Sequence, residues 1–283
     1  MARTCHTDIL NGRGLWLGGF GVPAVPKSVQ KRRGGSGGER GRLAARSLDL
    51  PARGAGLLEE FFRPLDALGS EPGLMARWLA GVGIREDSRV LDLGCGKGAV
   101  AIGVARATGC FVTGVDAFEP FVWSCRGLAA VRGVGSRCDF RVGLAERFRA
   151  EPFDAVVLLN LFPFERAVPI ARRRTRPGGF YLIDDAVAIG TEQSPFPTAR
   201  DVGEAIAAAG DRVERCKIWT KAEVRERERR NYALLRSNAR ALMKATPKNR
   251  ALLTECLARM KAGIADLSSE IRPACWLVRR GRR

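Results

Sequence analysis

Between residues 57 and 220, short apolar runs alternate with helix-like segments, and this alternation leaves few folds open to the chain. Strand-like runs cover residues 89–93, 111–116, 139–142, 153–159, 180–183 and 212–219. Helical patterns cover 99–108, 120–131, 166–174 and 199–209, after a helical stretch over 57–84 that is broken at Pro64 and at the 69–73 turn. Continuous apolar strands separated by helices imply a parallel sheet covered on both faces. The expected fold is therefore α/β. It is a doubly wound, Rossmann-like, mostly parallel seven-stranded sheet whose last strand lies near residues 274–278.

The ends of the chain read differently. Residues 1–56 hold 10 Lys/Arg against 3 Asp/Glu, carry Gly-Gly pairs and show no sustained period. They are expected to form a disordered basic tail, either a plain solvated extension or a tether to a polyanion. Residues 57–220 would form the core domain. Residues 221–268 would form a helical cap inserted before the last strand, broken near Pro247, and 269–283 that strand and a basic tail. Leu253, Cys256, Leu257, Met260, Ile264 and Leu267 make one apolar stripe on the second cap helix.

The net charge is +18, but its placement is uneven. Residues 57–210 sum to −1, against +7 before them and +12 after them. The centre thus carries no basic footprint, and nucleic-acid binding, if any, belongs to the ends. The lone histidine, His6, leaves no His-based triad or His-rich metal site in the body. Eight cysteines without a C-x-x-C pair suit a reducing, cytoplasmic interior. No apolar run is long enough for a membrane span, so no membrane partner is expected.

The informative segment is Val90-Leu91-Asp92-Leu93-Gly94-Cys95-Gly96-Lys97-Gly98, which leaves a strand and enters a helix. Glycines let backbone approach a ligand closely, and the helix start presents free N–H groups. Asp116 ends the next strand, where a carboxylate can accept from the hydroxyls of a ribose. Dinucleotide loops use G-x-G-x-x-G, whereas this spacing is G-x-G-x-G with Asp92 just ahead. That carboxylate suits a cationic ligand group better than a pyrophosphate.

The pattern resembles motif I of the class I S-adenosylmethionine-dependent methyltransferases. Gly114-Val115-Asp116, Phe153-Asp154-Ala155-Val156-Val157 and Arg176-Pro177-Gly178-Gly179-Phe180 match later landmarks of that family in the right order. The resemblance implies S-adenosylmethionine as cofactor and a set of binding residues. Asp92, Gly94, Cys95, Gly96 and Gly98 would form the methionyl and ribose side. Asp116 would hold the ribose, and Ala117 and Phe118 would flank the adenine. Where the family often has an acidic residue for the adenine amino group, this chain has Leu144-Ala145-Glu146, and Glu146 or a carbonyl would substitute.

The acceptor side would lie at the end of the fourth strand, with Asn160, Phe164 and Asp185 as candidates, and Asn160 would also border the cofactor. Asp184-Asp185 with Asn160 faintly suggest an oxygen-ligand metal site, but a capping role is the simpler reading, so no metal is assigned. Trp219, Tyr232 and Trp276 could line a substrate pocket, and Phe61-Phe62 could cover the cofactor mouth. The expected activity is methyl transfer to an oxygen or nitrogen of a small molecule. The alternatives are an RNA or protein methyltransferase using the basic ends, or a non-catalytic binding module.

Overall fold

A computed structural model describes residues 38–48, 50–189, 194, 196–265 and 270–282. Its seven strands are β1 (Arg89–Leu93), β2 (Phe111–Asp116), β3 (Cys138–Val142), β4 (Phe153–Leu158), β5 (Thr175–Ala188), β6 (Arg212–Ile218) and β7 (Ile271–Arg279). They form one sheet in the order β3-β2-β1-β4-β5-β7-β6. β1 to β5 are parallel, and β7 enters antiparallel between β5 and β6. The expected seven-stranded, mostly parallel sheet is therefore present. Because β1 pairs with both β2 and β4, the chain reverses its direction of travel across the sheet there. Such a reversal opens a crevice at the carboxyl ends of the strands.

Helices α4 (Ala99–Thr108), α5 (Glu119–Val131), α6 (Phe164–Arg174) and α7 (Ala199–Ala208) connect the strands, and α3 (Pro72–Gly81) precedes them. Strand alternation divides the core. Val90, Val112, Ala155 and Leu182 pack on one face with α3 and α4, whereas Leu91, Val115, Val156 and Ile183 pack on the other with α6 and α7. β5 is much longer than the apolar run 180–183 suggested. Its extension pairs with β7 as far as Ala188 and Ile271, so Asp184 and Asp185 sit inside a strand rather than after one.

A third apolar cluster lies beyond the sheet edge. It joins Leu58, Phe61 and Phe62 to Phe118 and Phe121, to Leu235 and Ala239 of α8 (Lys221–Ala245), and to Leu253, Cys256 and Met260 of α9 (Arg250–Ala265). The last three are members of the expected stripe. Ala45, Leu50 and Ala55 belong to the same cluster, so the described part of 1–56, residues 38–48 and 50–56, is packed against the cap where a disordered tail is expected. Helix α1 (Glu39–Ser47) and a 3-10 turn (Ala52–Leu57) precede α2 (Leu58–Phe61). Their few apolar side chains complete the cap instead of making a core of their own. Residues 1–37, which include His6 and the glycine-rich tract, lie outside the described residues. Among the described residues, no helix is long and apolar enough to cross a membrane.

Candidate active site

The glycine segment turns where its sequence demands. Gly94, Gly96 and Gly98 have φ of 74°, 52° and 78°, a region that side chains with a Cβ rarely enter. A Cβ at Gly94 would stand 2.9 Å from Leu161 Cδ2. The turn brings the backbone under Asp116. Its Oδ2 accepts from Gly96 N–H at 2.9 Å, and its Oδ1 accepts from Phe118 N–H at 2.8 Å. One carboxylate thereby ties the glycine loop to the end of β2 and keeps further acceptor capacity on both oxygens.

A cavity opens above this turn at the sheet crevice. It is lined by Asp92, Gly94, Cys95, Gly96, Asp116, Ala117, Leu144, Ala145, Glu146 and Asn160. Ten of the twelve expected cofactor residues thus meet in one space. The other two do not. Gly98 faces away, where a Cβ would stand 3.0 Å from Cys125 Sγ, so its task is close packing. Phe118 is 2% exposed and packs edge-on against Phe121 within the cap cluster. Phe121, one turn on, lines the cavity in its place.

Electrostatics sharpen the picture. Asp92 is 4% exposed, and its Oδ2 has no hydrogen-bond partner among the described residues. Burial pushes its carboxyl up to about 7, against the help of the Ala101 N–H in the first turn of α4. Burial likewise raises Asp116 to about 6, although two backbone N–H groups favour its charged form. A buried carboxylate oxygen without a partner is costly, and a cation placed beside it removes that cost.

Several lining groups were not legible in advance. Leu43, Ala44 and Leu48 of the N-terminal segment form part of the wall, as do Asp66, Leu68 and Ser70 from the loop before α3. Lys97 is buried, and its ammonium donates to the carbonyls of Phe62 (3.0 Å), Arg63 (3.1 Å) and Leu65. It caps the end of α2 and fastens that segment to the glycine loop. Phe61 and Phe62 are themselves buried in the cap cluster and do not line the cavity. Arg174 is buried and donates to the carbonyls of Ala145 (3.0 Å), Glu146 (3.0 Å) and Phe148 (3.1 Å), which fixes the turn carrying Glu146.

The acceptor side departs further from expectation. Phe164 N–H donates to Asp185 Oδ2 at 2.6 Å, and Asp185 Oδ1 accepts from Ala186 N–H at 2.7 Å. Asp185 therefore caps the start of α6, and neither it nor Phe164 lines this cavity. Phe162 and Leu161 do. Asp184 points to the opposite face of β5, where its Oδ1 accepts from Asn160 N–H at 2.7 Å. Asn160 has φ of 54°, the one positive value outside glycine among the described residues. Trp276 is core and Tyr232 flanks the cap cluster, whereas Trp219 lines a second, smaller cavity beyond Asn160.

Comparison with known proteins agrees with this geometry. Residues 90–179 match the family described as a methyltransferase domain. A stretch covering 42% of the chain is 33% identical to part of a ribosomal protein L11 methyltransferase of Thiobacillus denitrificans, over 40% of that protein. A stretch covering 34% is 36% identical to part of a ubiquinone biosynthesis O-methyltransferase of Maricaulis maris, again over 40% of it. The chain spans about half or less of the length of such curated relatives. A S-adenosylmethionine-dependent methyltransferase from Geobacter sulfurreducens, solved with S-adenosylhomocysteine, shares the fold over 79% of this chain and 97% of its own, with a TM-score of 0.65 at 17% identity. The strand order, the glycine turn and its two carboxylates thus stand where residues 90–179 match a methyltransferase domain, and the sheet has the fold of a solved S-adenosylmethionine-dependent methyltransferase.

Proposed function

We propose that the chain transfers the methyl group of S-adenosylmethionine to an oxygen or nitrogen of a small molecule by in-line displacement. The observation that carries this reading is Asp92, whose buried Oδ2 lacks a partner among the described residues, lining the same cavity as Asp116. A cationic α-ammonium matches Asp92, and ribose hydroxyls match the spare acceptor sites of Asp116. Glu146 offers an acceptor for the adenine amino group among the apolar surfaces of Ala117, Phe121, Leu144 and Ala145. When bound, the cofactor supplies a methyl group already activated by a positively charged sulfur. What remains for the protein is to orient the acceptor and exclude water.

A small acceptor is favoured because residues 57–210, which supply most of the cavity lining, sum to a charge of −1 and offer no basic footprint to a polyanion. A second reading, an RNA or protein acceptor, draws support from α8 and the turn after it. Arg229, Arg230, Arg236, Arg240, Lys244, Lys248 and Arg250 are all exposed, and no acidic residue falls between Arg229 and Thr254.

Thermal unfolding with added S-adenosylhomocysteine tests cofactor binding. The midpoint should climb with ligand, by about 2.7 kcal/mol of stabilisation at one hundred times Kd. A flat midpoint at millimolar ligand would overturn the reading. Transfer of labelled methyl groups into a cell extract then separates the acceptors. Label in the metabolite fraction supports the first reading, and label in RNA or protein supports the second. Cofactor binding with no label in any fraction leaves a non-catalytic module.

A further inference from the structure

We propose that Arg174, which lies outside the cofactor cavity, is the positioning residue that makes this site specific for an adenine base. It does so by drawing the carbonyls of the 145–148 turn away, so that the turn shows the cavity N–H donors and one acceptor, the Glu146 carboxylate. The inference rests on the function proposed above, because it concerns the base of the methyl donor.

The turn follows β3, and Gly143, Leu144, Ala145 and Glu146 line the cavity. It closes on itself, since Leu144 O accepts from the N–H groups of Arg147 and Phe148, each at 3.0 Å. One terminal nitrogen of Arg174 donates to the carbonyls of Ala145 (3.0 Å), Glu146 (3.0 Å) and Phe148 (3.1 Å). Arg149 gives the carbonyls of Glu146 and Phe148 a second donor, at 3.1 and 3.4 Å. A carbonyl has two lone pairs, so those of Leu144, Glu146 and Phe148 are filled and that of Ala145 is half filled. Neither arginine lines the cavity. The carbonyls are therefore turned from it. The N–H groups of Ala145 and Glu146, in contrast, donate to no described residue.

Arg174 is the last residue of α6 and is 6% exposed. A buried guanidinium ordinarily pairs with a carboxylate. This one grips four carbonyls instead, that of Ile170 (3.0 Å) included, and its Nε is buried without a partner among the described residues. Such a charge is a costly way to end a helix, and what it fixes is the polarity of the turn. That polarity reads a base. Leu144 has no side-chain acceptor, so with the carbonyls taken the turn keeps only the Glu146 carboxylate, which is held loosely, 3.5 Å from Arg166. The edge of adenine carries an amino donor beside a ring-nitrogen acceptor, the complement of a carboxylate beside N–H groups. Hypoxanthine has a carbonyl in place of the amino group and a protonated ring nitrogen beside it. Against this turn it would set donor to donor and oxygen to carboxylate, leaving polar groups unpaired. Carbonyls released from Arg174 could accept from that protonated nitrogen, and the distinction would fade.

The test titrates S-adenosylhomocysteine and S-inosylhomocysteine, which differ only at this edge, into the full chain by calorimetry. The wild type should bind the adenine compound about tenfold to a hundredfold more tightly. Arg174→Gln should cut that preference to about threefold or less, losing affinity for the first compound and gaining it for the second. Arg174→Lys, which keeps a charged donor, should hold the preference near about tenfold. Thermal unfolding without ligand reports whether each variant folds. A merely structural arginine would weaken both ligands alike and leave their ratio as it was. A second measurement needs no variant: amide exchange at Ala145 and Glu146 should slow about tenfold or more with S-adenosylhomocysteine, and less with S-inosylhomocysteine at equal occupancy. Equal binding of the two compounds by the wild type, a ratio that survives in Arg174→Gln, or exchange that ignores S-adenosylhomocysteine once bound, each sinks the proposal and leaves cofactor binding standing. Binding of neither compound sinks the methyltransferase reading and this inference with it.

Discussion

The two cavities that meet at Asn160 are built in opposite ways. The larger is assembled around one short stretch of chain and the end of the neighbouring strand. Gly94, Gly96, Asp92 and Asp116 lie within 25 residues, and hydrogen bonds to backbone N–H groups tie them together. The smaller draws Glu71, Asn160, Asp184, Trp219 and Arg227 from five separate elements, and it exists only once β5, β7 and α8 have docked. A ligand common to a whole family can be served by a local backbone turn. A ligand peculiar to one protein is served by side chains that distant packing brings together.

The largest expected effect comes from removing the N-terminal segment that the larger cavity and the cap cluster share. Deleting residues 1–56 takes Ala45, Leu50 and Ala55 from the cap cluster and Leu43, Ala44 and Leu48 from the cavity wall. The loss should be ~3 kcal/mol or more. The unfolding midpoint should then drop by about 10 °C, and the response to S-adenosylhomocysteine should vanish. A truncated chain that still responds to the ligand would return these residues to the status of a tail.

That deletion also marks the limit of the sequence. The strands and the glycine turn were legible because period and spacing act over a few residues. Helix α1 was not, because nine residues with Gly41 inside and three apolar side chains show no stripe, and such a helix owes its stability to what it docks against. Asp184 and Asp185 were legible as a pair but not as two roles. Adjacent strand residues face opposite sides, and the pairing of β5 with β7 decides which one meets the smaller cavity. Phe118 and Phe121 exchanged places for a similar reason, since the phase of α5 puts Phe121 over the cavity.

Asp92→Asn should come next in magnitude. Losing a charge-assisted bond to an ammonium costs about 1.5–3 kcal/mol, which is roughly tenfold to a hundredfold in affinity for S-adenosylhomocysteine by calorimetry. Wild-type affinity should fall as pH drops through about 7, where the Asp92 carboxyl takes up its proton, and the variant should be flat there. Folding of the free protein should show the reverse trend. Asp92 and Asp184 ionise at about 7 and 8 in the fold but near 4 when unfolded. Between those limits the native state holds more protons, so stability declines as pH rises. Either Asn variant should make that decline shallower in pH-dependent denaturant titrations, and an identical slope would show that these carboxyls are hydrated.

Lys97→Met probes the link between the glycine turn and the 62–65 stretch. It leaves the carbonyls of Phe62, Arg63 and Leu65 without their donor, for a loss of about 1–3 kcal/mol. Amide exchange over 62–65 should accelerate. The smallest effect belongs to Arg236→Gln and Arg240→Gln on the exposed face of α8, within about 0.5 kcal/mol of wild type and silent toward the cofactor. If each change instead lowers the salt dependence of RNA binding by roughly one ion, the small-molecule reading gives way to an RNA acceptor held on α8.

Lys97 belongs to two neighbourhoods at once. Its ammonium belongs to the loop that meets the methyl donor, yet the carbonyls it grips lie in the stretch whose Pro64 and Leu65 edge the groove between the 64–74 segment and α8. Whatever settles against Gly96 therefore bears on the 62–65 stretch as well, and strain in the glycine turn is shared with the rim of the neighbouring groove.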